Sequence, residues 1–332
     1  MEYTTIGSTG IEASRIGLGT WAIGGWMWGG TDEQQSIKTI HSAIDKGITL
    51  IDTAPVYGFG RSEEIVGKAV KQYGQRDKLV LATKVALDWD EEENVVRNAT
   101  KERIKQEVED SLRRLQTDYI DLYQVHWPDP LVEIEETAQA MHELYQEGKI
   151  RAIGVSNFSV KQLDEFMKVA PLHAVQPPYN LFERSIEKDI FPYAQTNNLS
   201  TLLYGSLCRG LLTGKMSKDH KFEGDDLRKN DPKFQEPRFS QYLQAVDDLD
   251  KLAREQFNKD ILSLAVRWNL DQQGSNVALW GARKPEQVEP VNSMMDFQLD
   301  DETKQAIEEI LQRNIQDPVG PEFMAPPSRE QK

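Results

Sequence analysis

Asp52 and Tyr57 lie five residues apart in the stretch LIDTAPVYGFG (residues 50–60), where an apolar run gives way to a turn rich in proline and glycine. A tyrosine phenol has an unperturbed pKa near ~10, so it is a weak proton donor unless its surroundings change that value. Taken alone, the fragment is also explained by a strand end with an aspartate turn cap and a packed tyrosine beyond it. The functional interpretation therefore depends on what the fold brings to the same place.

Lys84 and His126 follow the same pattern, because each stands near the end of a later apolar run. An ammonium group close to Tyr57 would lower the pKa of the phenol. Asp52 beside Lys84 would keep the lysine charged and offset the cost of burying it, and His126 would bond a substrate oxygen or tune the tyrosine. The four side chains would form a proton donor for an oxygen that becomes negative, as when hydride reaches a carbonyl carbon.

The elements that must position these residues are short apolar runs separated by amphipathic segments. The runs are too uniformly apolar to alternate, which is typical of parallel strands covered on both faces. They are SRIGLGTW (14–21), ITLIDTA (48–54), KLVLATKV (78–85), YIDLYQVHW (119–127), IRAIGVSNF (150–158), HAVQPPYN (173–180), STLLYGSL (200–207) and NVALWGA (276–282).

Helix patterns lie between the runs. Thr31 with Gln34 predicts a capping box at the start of the first helix, and Ser159 with Gln162 predicts a cap on the fifth. Apolar residues recur at helical spacing in three segments: Ile37, Ile40, Ala43 and Ile44; Ile104, Val108, Leu112 and Leu115; and Ile134, Ala138, Met141 and Leu144.

These alternating elements favour an α/β fold of the (β/α)8 TIM barrel type over a doubly wound sheet. We expect an N-terminal hairpin around residues 8–10, and a long β7–α7 loop because residues 209–258 separate the seventh strand from its helix. Residues 1–332 are expected to form a single domain, with an irregular tail from about 315 to 332. Chemistry in such barrels sits at the C-terminal ends of the strands, so residues scattered along the chain would meet at one mouth.

Composition excludes several classes of function. The net charge is −15, which disfavours a polyanionic partner such as nucleic acid. Cys208 is the only cysteine, no histidine pair has i, i+4 spacing and no Cys/His cluster exists, so we expect neither disulfides nor a metal site. No stretch approaches 18 apolar residues. We therefore expect a cytoplasmic protein without a membrane partner.

The runs and their spacing resemble the aldo-keto reductases over about residues 3–315, and family eleven, the bacterial general-stress-type reductases, is the most similar. The resemblance is carried by GLGTW (17–21), IDTAPVYG (51–58), ATKV (82–85), YQVHWPD (123–129), GVSNF (154–158), VQPPYN (175–180) and LLYGSLCRGLLTGK (202–215). It implies a barrel that binds NADPH in extended form without a Rossmann domain. The sequence agrees, because neither GLGTWA nor GFGRSE completes G-x-G-x-x-G.

The resemblance also assigns residues. It implies a catalytic group of Tyr57, Asp52, Lys84 and His126, with Ser156, Asn157 and Gln176 on the nicotinamide carboxamide and Tyr204 stacked on its ring. The complete cofactor set that it implies is Gly19, Thr20, Trp21, Asp52, Ser156, Asn157, Gln176, Tyr204, Gly205, Ser206, Leu207, Arg209, Gly210, Lys215, Gly281, Arg283, Lys284 and Gln287.

The sequence departs from the family pattern at two places. Gly205-Ser206 replaces a common Ser-Pro after the stacking tyrosine, and Glu289-Pro290-Val291 replaces the usual Glu-Asn contacts to adenine. A preference for NADPH therefore rests on Arg283 and Lys284, whose charges suit a 2′-phosphate.

The sequence predicts an NADPH-dependent oxidoreductase that reduces aldehydes and ketones to alcohols. A small-molecule carbonyl compound is the expected partner, with Trp21, Trp26, Trp28, Trp89 and Trp127 as candidates for an apolar substrate mouth. Two alternatives stay open: a cofactor-sensing regulatory protein on the same scaffold, and a metal-dependent barrel hydrolase. The proline-rich tail leaves a homo-oligomeric contact open as well.

Overall fold

The computed structural model describes residues 1–331 and contains an eight-stranded barrel with two small hairpins. The strands are β1 (Tyr3–Thr5), β2 (Glu12–Ser14), β3 (Ile16–Gly19), β4 (Leu50–Asp52), β5 (Val80–Val85), β6 (Leu87–Trp89), β7 (Val95–Arg97), β8 (Leu122–Val125), β9 (Ile153–Ser156), β10 (Ala174–Gln176), β11 (Ser200–Leu203) and β12 (Val277–Gly281). The parallel strands β3, β4, β5, β8, β9, β10, β11 and β12 pair in that order, and β12 pairs with β3 to close the barrel.

Helices cover the outside of the barrel. They are α1 (Trp21–Gly24), α2 (Glu33–Asp45), α3 (Arg61–Tyr73), α4 (Lys101–Leu115), α5 (Ile134–Gln146), α6 (Val160–Met167), α7 (Ile190–Thr196), α8 (Arg238–Phe257), α9 (Ile261–Leu270) and α10 (Asp301–Asn314). Short 3-10 turns occupy Arg76–Lys78, Ser185–Glu187, Cys208–Thr213, Leu227–Lys229, Pro232–Phe234, Pro285–Gln287, Glu289–Met294, Glu322–Met324 and Arg329–Gln331. None of the helices in residues 1–331 is long and apolar enough to cross a membrane.

The two-residue period of each strand separates an inner from an outer layer. On β8, Tyr123 and Val125 pack outward in the large cluster shared with the helices, whereas Leu122 belongs to a second cluster inside the barrel. Residues of the N-terminal hairpin, such as Ile6, pack into that inner cluster and close the bottom of the barrel. The polar residues that follow the inner apolar layer therefore face the opposite, C-terminal mouth.

The structure confirms the predicted (β/α)8 barrel, and each of the eight predicted runs contains one barrel strand. The N-terminal hairpin is also present, with Tyr3 paired to Ser14. The predicted cap at Ser159 is confirmed, because Ser159 and Gln162 form a reciprocal capping box. The predicted capping box at Thr31 is wrong by one residue: Asp32 is the cap, and its carboxylate accepts a bond from the Gln35 N–H.

The segment between β11 and α9 is more ordered than its polar composition indicates. Its first part contains short turns, but residues 238–257 form the 20-residue helix α8. Tyr242, Leu249 and Ala253 are buried on one face of α8, so an amphipathic helix lies within the stretch expected to be a loop.

The C-terminal tail crosses the barrel mouth and is held there by hydrogen bonds. Arg97 of β7 donates from its backbone N–H to Pro327 O (3.0 Å) and from Nε to Pro326 O (2.7 Å). Arg329 forms an ion pair with the buried Asp129 (2.8 Å). These contacts fix the tail as one wall of the mouth. The predicted tail extends to residue 332, which lies outside the described residues.

Gly67 on α3 provides a test of the packing between neighbouring helices. Alanine in a helix is favoured over glycine by about 1 kcal/mol, but a Cβ here would lie 2.4 Å from the backbone oxygen of Arg114 on α4. We expect Gly67→Ala to lower the free energy of unfolding by at least about 1 kcal/mol, because the clash of the new methyl group with the backbone of Arg114 outweighs the higher helix propensity of alanine. Urea denaturation measures this, with the exposed Glu64→Ala on the same helix as a control; a stabilised Gly67→Ala would contradict the packing.

Candidate active site

Lys84 is the centre of the polar cluster at the barrel mouth. Its side chain is fully buried, and Nζ lies 2.5 Å from Asp52 Oδ1, 3.0 Å from the backbone oxygen of Thr53 and 3.3 Å from the phenol oxygen of Tyr57. An ammonium group has three N–H donors, and these three oxygens match that number. Residues from β4, from its loop and from β5 thus meet as the spacing predicts.

Two glutamines hold the second oxygen of the Asp52 carboxylate. Gln124 Nε2 donates to Asp52 Oδ2 at 3.1 Å, and Gln176 Nε2 donates to the same oxygen at 2.9 Å. Gln176 also donates to Gln124 Oε1 at 3.0 Å. The carboxylate is therefore bonded on both oxygens, which satisfies the requirement for burying a charge.

The pKa shifts describe a charged lysine beside a neutral tyrosine. Burial lowers the pKa of Lys84, but Asp52 and Tyr57 together raise it by more than burial lowers it. The pKa of Lys84 is therefore above its usual value. Burial raises the pKa of Tyr57, Lys84 lowers it and Asp52 raises it, and the net shift is upward. The expectation that Lys84 lowers the pKa overall is therefore wrong for this site, because burial outweighs the ammonium charge. Tyr57 keeps its proton well above neutral pH.

His126 faces Tyr57 across the mouth. The two rings meet edge to face with centroids 5.8 Å apart. Burial, together with the charge of Lys84, holds the pKa of His126 well below its ordinary value. The imidazole is therefore neutral at physiological pH, and it carries one N–H donor for an oxygen placed above Tyr57.

A cavity of about 410 Å³ opens above Tyr57 and His126. Its walls are mainly aromatic and apolar and include Trp26, Trp127 and the tail residue Met324. Trp21 stacks on Tyr57 with ring centroids 5.8 Å apart and an interplanar angle of 20°. We call this space the substrate-side cavity.

A second cavity of about 430 Å³ runs from Tyr57 towards the ends of β11 and β12. It shares Trp21, Tyr57, Gln176, Tyr204 and Met324 with the substrate-side cavity. Polar and basic side chains line its far part, which suits an elongated ligand with one polar ring end and one anionic end. We call it the long cavity.

The structure brings most of the residues expected to bind a cofactor to the walls of the two cavities. Ser156 and Asn157 line the substrate-side cavity, and Lys284 lines neither. The expected residues on the long cavity are Gly19, Thr20, Trp21, Asp52, Gln176, Tyr204, Gly205, Ser206, Leu207, Arg209, Gly210, Lys215, Gly281, Arg283 and Gln287.

Several of these side chains already have partners within the protein. Asn157 donates to the backbone oxygen of His126 (3.0 Å) and accepts from the hydroxyl of Tyr204 (2.9 Å). Arg283 donates to the backbone oxygens of Trp28 (2.7 Å) and Gly30 (2.9 Å). These side chains therefore hold the cavity walls in place, in addition to any contact that they make with a ligand.

Arg209 is a buried member of an ionic cluster. Its guanidinium lies 2.5 Å from Glu183 and 2.6 Å from Asp231, and Lys233 lies 2.8 Å from the same Glu183. The charge of Arg209 is thus balanced within the protein. Arg209 therefore stabilises the segment after β11 and also lines the long cavity. Cys208 beside it is a buried free thiol whose pKa burial raises to about 12, in keeping with a packing residue.

Sequence reasoning missed Gln124. The signal was present, because Gln124 is a polar residue in a mainly apolar run and stands two positions before His126, a spacing that puts two side chains on the same face of an extended chain. Arg228 was also missed; it lines the long cavity and stacks over Phe222 at 4.6 Å. Nothing in its polar surroundings in the sequence distinguishes Arg228 from a surface arginine.

A parallel eight-stranded barrel with a buried Asp–Lys pair against a phenol at its C-terminal mouth defines a class of barrel oxidoreductases, the aldo/keto reductases. The model of the aldo/keto reductase family matches residues 15–312. The chain belongs to that family and is an oxidoreductase, and members of the family use nicotinamide cofactors.

The individual relatives agree with the family. The chain is 66% identical over 331 residues to aldo-keto reductase YhdN of Bacillus subtilis, covering 100% of both chains. It is 36% identical over 315 residues to an NADH-specific methylglyoxal reductase of Escherichia coli, covering 91% of this chain and 95% of the relative.

Among solved structures, the glycerol dehydrogenase AKR11B4 from Gluconobacter oxydans matches with a TM-score of 0.88 and 54% identity, over 97% of this chain and 99% of that one. The holo form of aldo-keto reductase AKR11C1 from Bacillus halodurans matches with a TM-score of 0.80 and 28% identity, over 98% and 100%. The names AKR11B4 and AKR11C1 place both neighbours in family eleven, as the sequence motifs indicate.

The buried pair of Lys84 and Asp52 predicts a coupled effect on stability. Lys84→Met should lower the free energy of unfolding by about 3 kcal/mol or more, because it leaves a buried carboxylate without its counter-charge. Adding Asp52→Asn to Lys84→Met should recover part of that loss. Urea denaturation of both single variants and the double variant measures the coupling; additive losses would contradict it. Lys161→Met, in an exposed ion pair with Glu165, is the control and should change little.

Proposed function

We propose that this protein is an NADPH-dependent reductase that converts aldehydes and ketones to alcohols, with Tyr57 as the proton donor. The observation that carries the proposal is the contact of the Tyr57 hydroxyl with Lys84 Nζ at 3.3 Å, directly beneath two joined cavities. Reduced nicotinamide, when bound, supplies the hydride. The remaining chemistry belongs to side chains of this chain.

Tyr57 is suited to protonating a nascent alkoxide. Its raised pKa keeps the phenol protonated at neutral pH, so the proton is available when the carbonyl oxygen becomes negative. Lys84 stays charged and stabilises the phenolate that remains, and Asp52 holds Lys84 in place. The neutral His126 donates its N–H to the carbonyl oxygen and orients it.

The residues present fit a dinucleotide. Gln176 lies where the two cavities join, and its side-chain oxygen has no donor among residues 1–331, which leaves it free for a carboxamide N–H. Lys215 and Arg283 line the long cavity and supply positive charge for phosphates. We assign the residues of the long cavity, together with Ser156 and Asn157, to the cofactor on these grounds.

The substrate-side cavity supports neutral, apolar carbonyl compounds. Besides Tyr57, His126 and the residues assigned to the cofactor, its polar wall residues are Glu93, Asn94 and Asn230, which lie at exposed positions, and no lysine or arginine of residues 1–331 lines it. A substrate carboxylate would therefore lose its hydration without gaining a counter-charge. Trp21, Trp26 and Trp127 line this cavity, which supports their proposed place at the substrate mouth, whereas Trp28 lines the long cavity and Trp89 lines neither.

The names of two relatives bear on the proposal in two ways. A glycerol dehydrogenase acts on an alcohol, the product side of the same hydride exchange, and a methylglyoxal reductase acts on a carbonyl compound. The methylglyoxal reductase is named as NADH-specific, so the preference for NADPH has to be tested on this chain. The complete catalytic group favours an enzyme over a protein that only senses the cofactor.

Replacing Tyr57 with phenylalanine tests the catalytic role. We expect turnover of an aldehyde such as benzaldehyde to fall by about 10²- to 10⁴-fold, because the proton donor is removed. The Kd for NADPH should stay within about twofold, since the ring and its stacking on Trp21 remain. Fluorescence titration and NADPH oxidation measure the two quantities.

The matched control is Tyr73→Phe, which removes a surface hydroxyl bonded to Asp45 and should change neither quantity. An unchanged turnover in Tyr57→Phe would remove Tyr57 from its role. Tight NADPH binding by the unaltered protein with no turnover of any aldehyde would favour the sensor alternative.

Arg283→Met tests the cofactor preference. Loss of a charge-assisted bond to the 2′-phosphate should raise the Kd for NADPH about tenfold more than the Kd for NADH. The comparison between cofactors is needed because Arg283 also holds the backbone of Trp28 and Gly30, and that structural loss affects both equally. Lys284→Met, outside both cavities, should have a much smaller effect; equal weakening of NADPH and NADH by Arg283→Met would contradict the assignment.

A further inference from the structure

Gln124 occupies a buried position between the catalytic carboxylate and the predicted nicotinamide ligand. It is fully buried on the inner face of β8, where its register partner on β5 is Lys84. Its Nε2 donates to Asp52 Oδ2, and its Oε1 accepts from Gln176 Nε2. Gln124 has no access to either cavity wall, so any effect that it has on a ligand passes through its neighbours.

The charge of Asp52 determines how both amides are oriented. An ionised carboxylate only accepts hydrogen bonds, so Gln124 and Gln176 must each turn an N–H towards Asp52. The oxygen of Gln124 then points at Gln176 and accepts its second N–H. With both N–H groups of Gln176 engaged, the group that this side chain offers to a ligand is its oxygen.

The neighbouring strand leaves room for this arrangement. Gly154 on β9 is the register partner of Gln124, and a Cβ there would lie 2.8 Å from Gln124 Cγ. Any side chain at residue 154 would push Gln124 from its place between Asp52 and Gln176. The absence of a Cβ at this position is a second structural feature that favours the bonded orientation of Gln124.

We propose that Gln124 is a positioning residue that works together with Asp52: Asp52 accepts one N–H of Gln176, and Gln124 accepts the other. It fixes the Gln176 carboxamide with its oxygen towards the cofactor, so that the site selects a pyridine substituent with an N–H donor. The proposal rests on the proposed function, because it requires a nicotinamide ring beside Gln176. It adds a residue that touches neither substrate nor cofactor and yet helps to hold the group that the cofactor meets.

Three probes separate this role from a structural one. They are NADP⁺, its 3-acetylpyridine analogue, in which a methyl group replaces the amide nitrogen, and 2′-phospho-ADP-ribose, which has no pyridine ring. In the unaltered protein we expect NADP⁺ to bind most tightly, because only its carboxamide donates to Gln176. Isothermal titration with the purified full chain measures all three Kd values.

Gln124→Leu removes this acceptor while keeping a side chain of similar size. Gln176 then keeps its bond to Asp52 but has no acceptor for its second N–H, so its amide is held at one point and can tilt away from the ligand. We expect the Kd for NADP⁺ to rise about tenfold, corresponding to one lost hydrogen bond. The Kd for the acetylpyridine analogue should rise much less, and that for 2′-phospho-ADP-ribose should stay within about twofold.

Tyr123→Phe is the matched control, since Tyr123 is the buried neighbour on the same strand but packs outward among the helices. Its hydroxyl has no hydrogen-bond partner in the described chain, and its loss should leave all three Kd values unchanged. An unchanged Kd for NADP⁺ in Gln124→Leu would overturn the proposal. Equal weakening of all three probes would also overturn it, because that result indicates a general distortion of the site.

Gln124→Glu provides a second test that does not depend on an apolar replacement. A protonated glutamic acid can donate to Asp52 and accept from Gln176 as the glutamine does, whereas its ionised form repels Asp52. We expect NADP⁺ affinity near that of the unaltered protein at pH 5.5 and about tenfold weaker at pH 8.5. The same titrations with 2′-phospho-ADP-ribose correct for ionisation of the phosphate; the absence of any extra pH dependence for NADP⁺ would overturn the positioning role of Gln124.

The outcomes also separate this inference from the function on which it rests. If the unaltered protein binds NADP⁺ no more tightly than 2′-phospho-ADP-ribose, the ring has no site and the proposed function fails. If the ring contributes to binding in the unaltered protein and Gln124→Leu leaves that contribution intact, only the role of Gln124 fails. Gly154→Ala should reproduce the pattern of Gln124→Leu, because its Cβ displaces the same side chain.

Discussion

The buried ammonium group of Lys84 is the constraint on which the rest of the site depends. A charge without contact to water is stable only when every donor has an acceptor and a counter-charge is close. The carboxylate of Asp52, the backbone oxygen of Thr53 and the phenol of Tyr57 meet that requirement within 3.3 Å. The contacts that stabilise the charge of Lys84 inside the barrel also place its ammonium group against the phenol of Tyr57. The same side chains therefore serve the stability of the fold and the geometry of the site.

The barrel provides this arrangement because apolar and polar side chains follow one another along the inner face of its strands. Inner positions two residues apart carry an apolar side chain first and a polar one next, as with Leu50 and Asp52 on β4 or Leu122 and Gln124 on β8. The apolar layer closes the barrel beneath the site and keeps water out, while the polar layer above it forms a continuous hydrogen-bonded network. Burial is the largest cause of the shifted pKa values of Tyr57 and His126, and the charge of Lys84 lowers both.

The loops determine what can enter. The segment after β11 is held from behind by the ionic cluster of Arg209, Glu183 and Asp231, and the tail is held by Arg97 of β7. Together they shape the substrate-side cavity and the long cavity, which meet above Tyr57. The relatives carry names that refer to different substrates, glycerol for one and methylglyoxal for another.

The sequence by itself determined the barrel and the meeting of Asp52, Tyr57, Lys84 and His126 at its mouth, because both follow from local patterns. Strand period places Asp52, Lys84 and His126 at strand ends, and parallel strands in a closed barrel bring those ends to one mouth. What only the tertiary structure decided depends on neighbours that are distant in the chain. The orientation of Gln124 follows from a carboxylate 72 residues away, the upward shift of the pKa of Tyr57 follows from burial, and the engagement of Arg209 follows from Glu183 and Asp231. A side chain's identity fixes its chemistry, but its protonation, orientation and freedom depend on packing, which no local pattern contains.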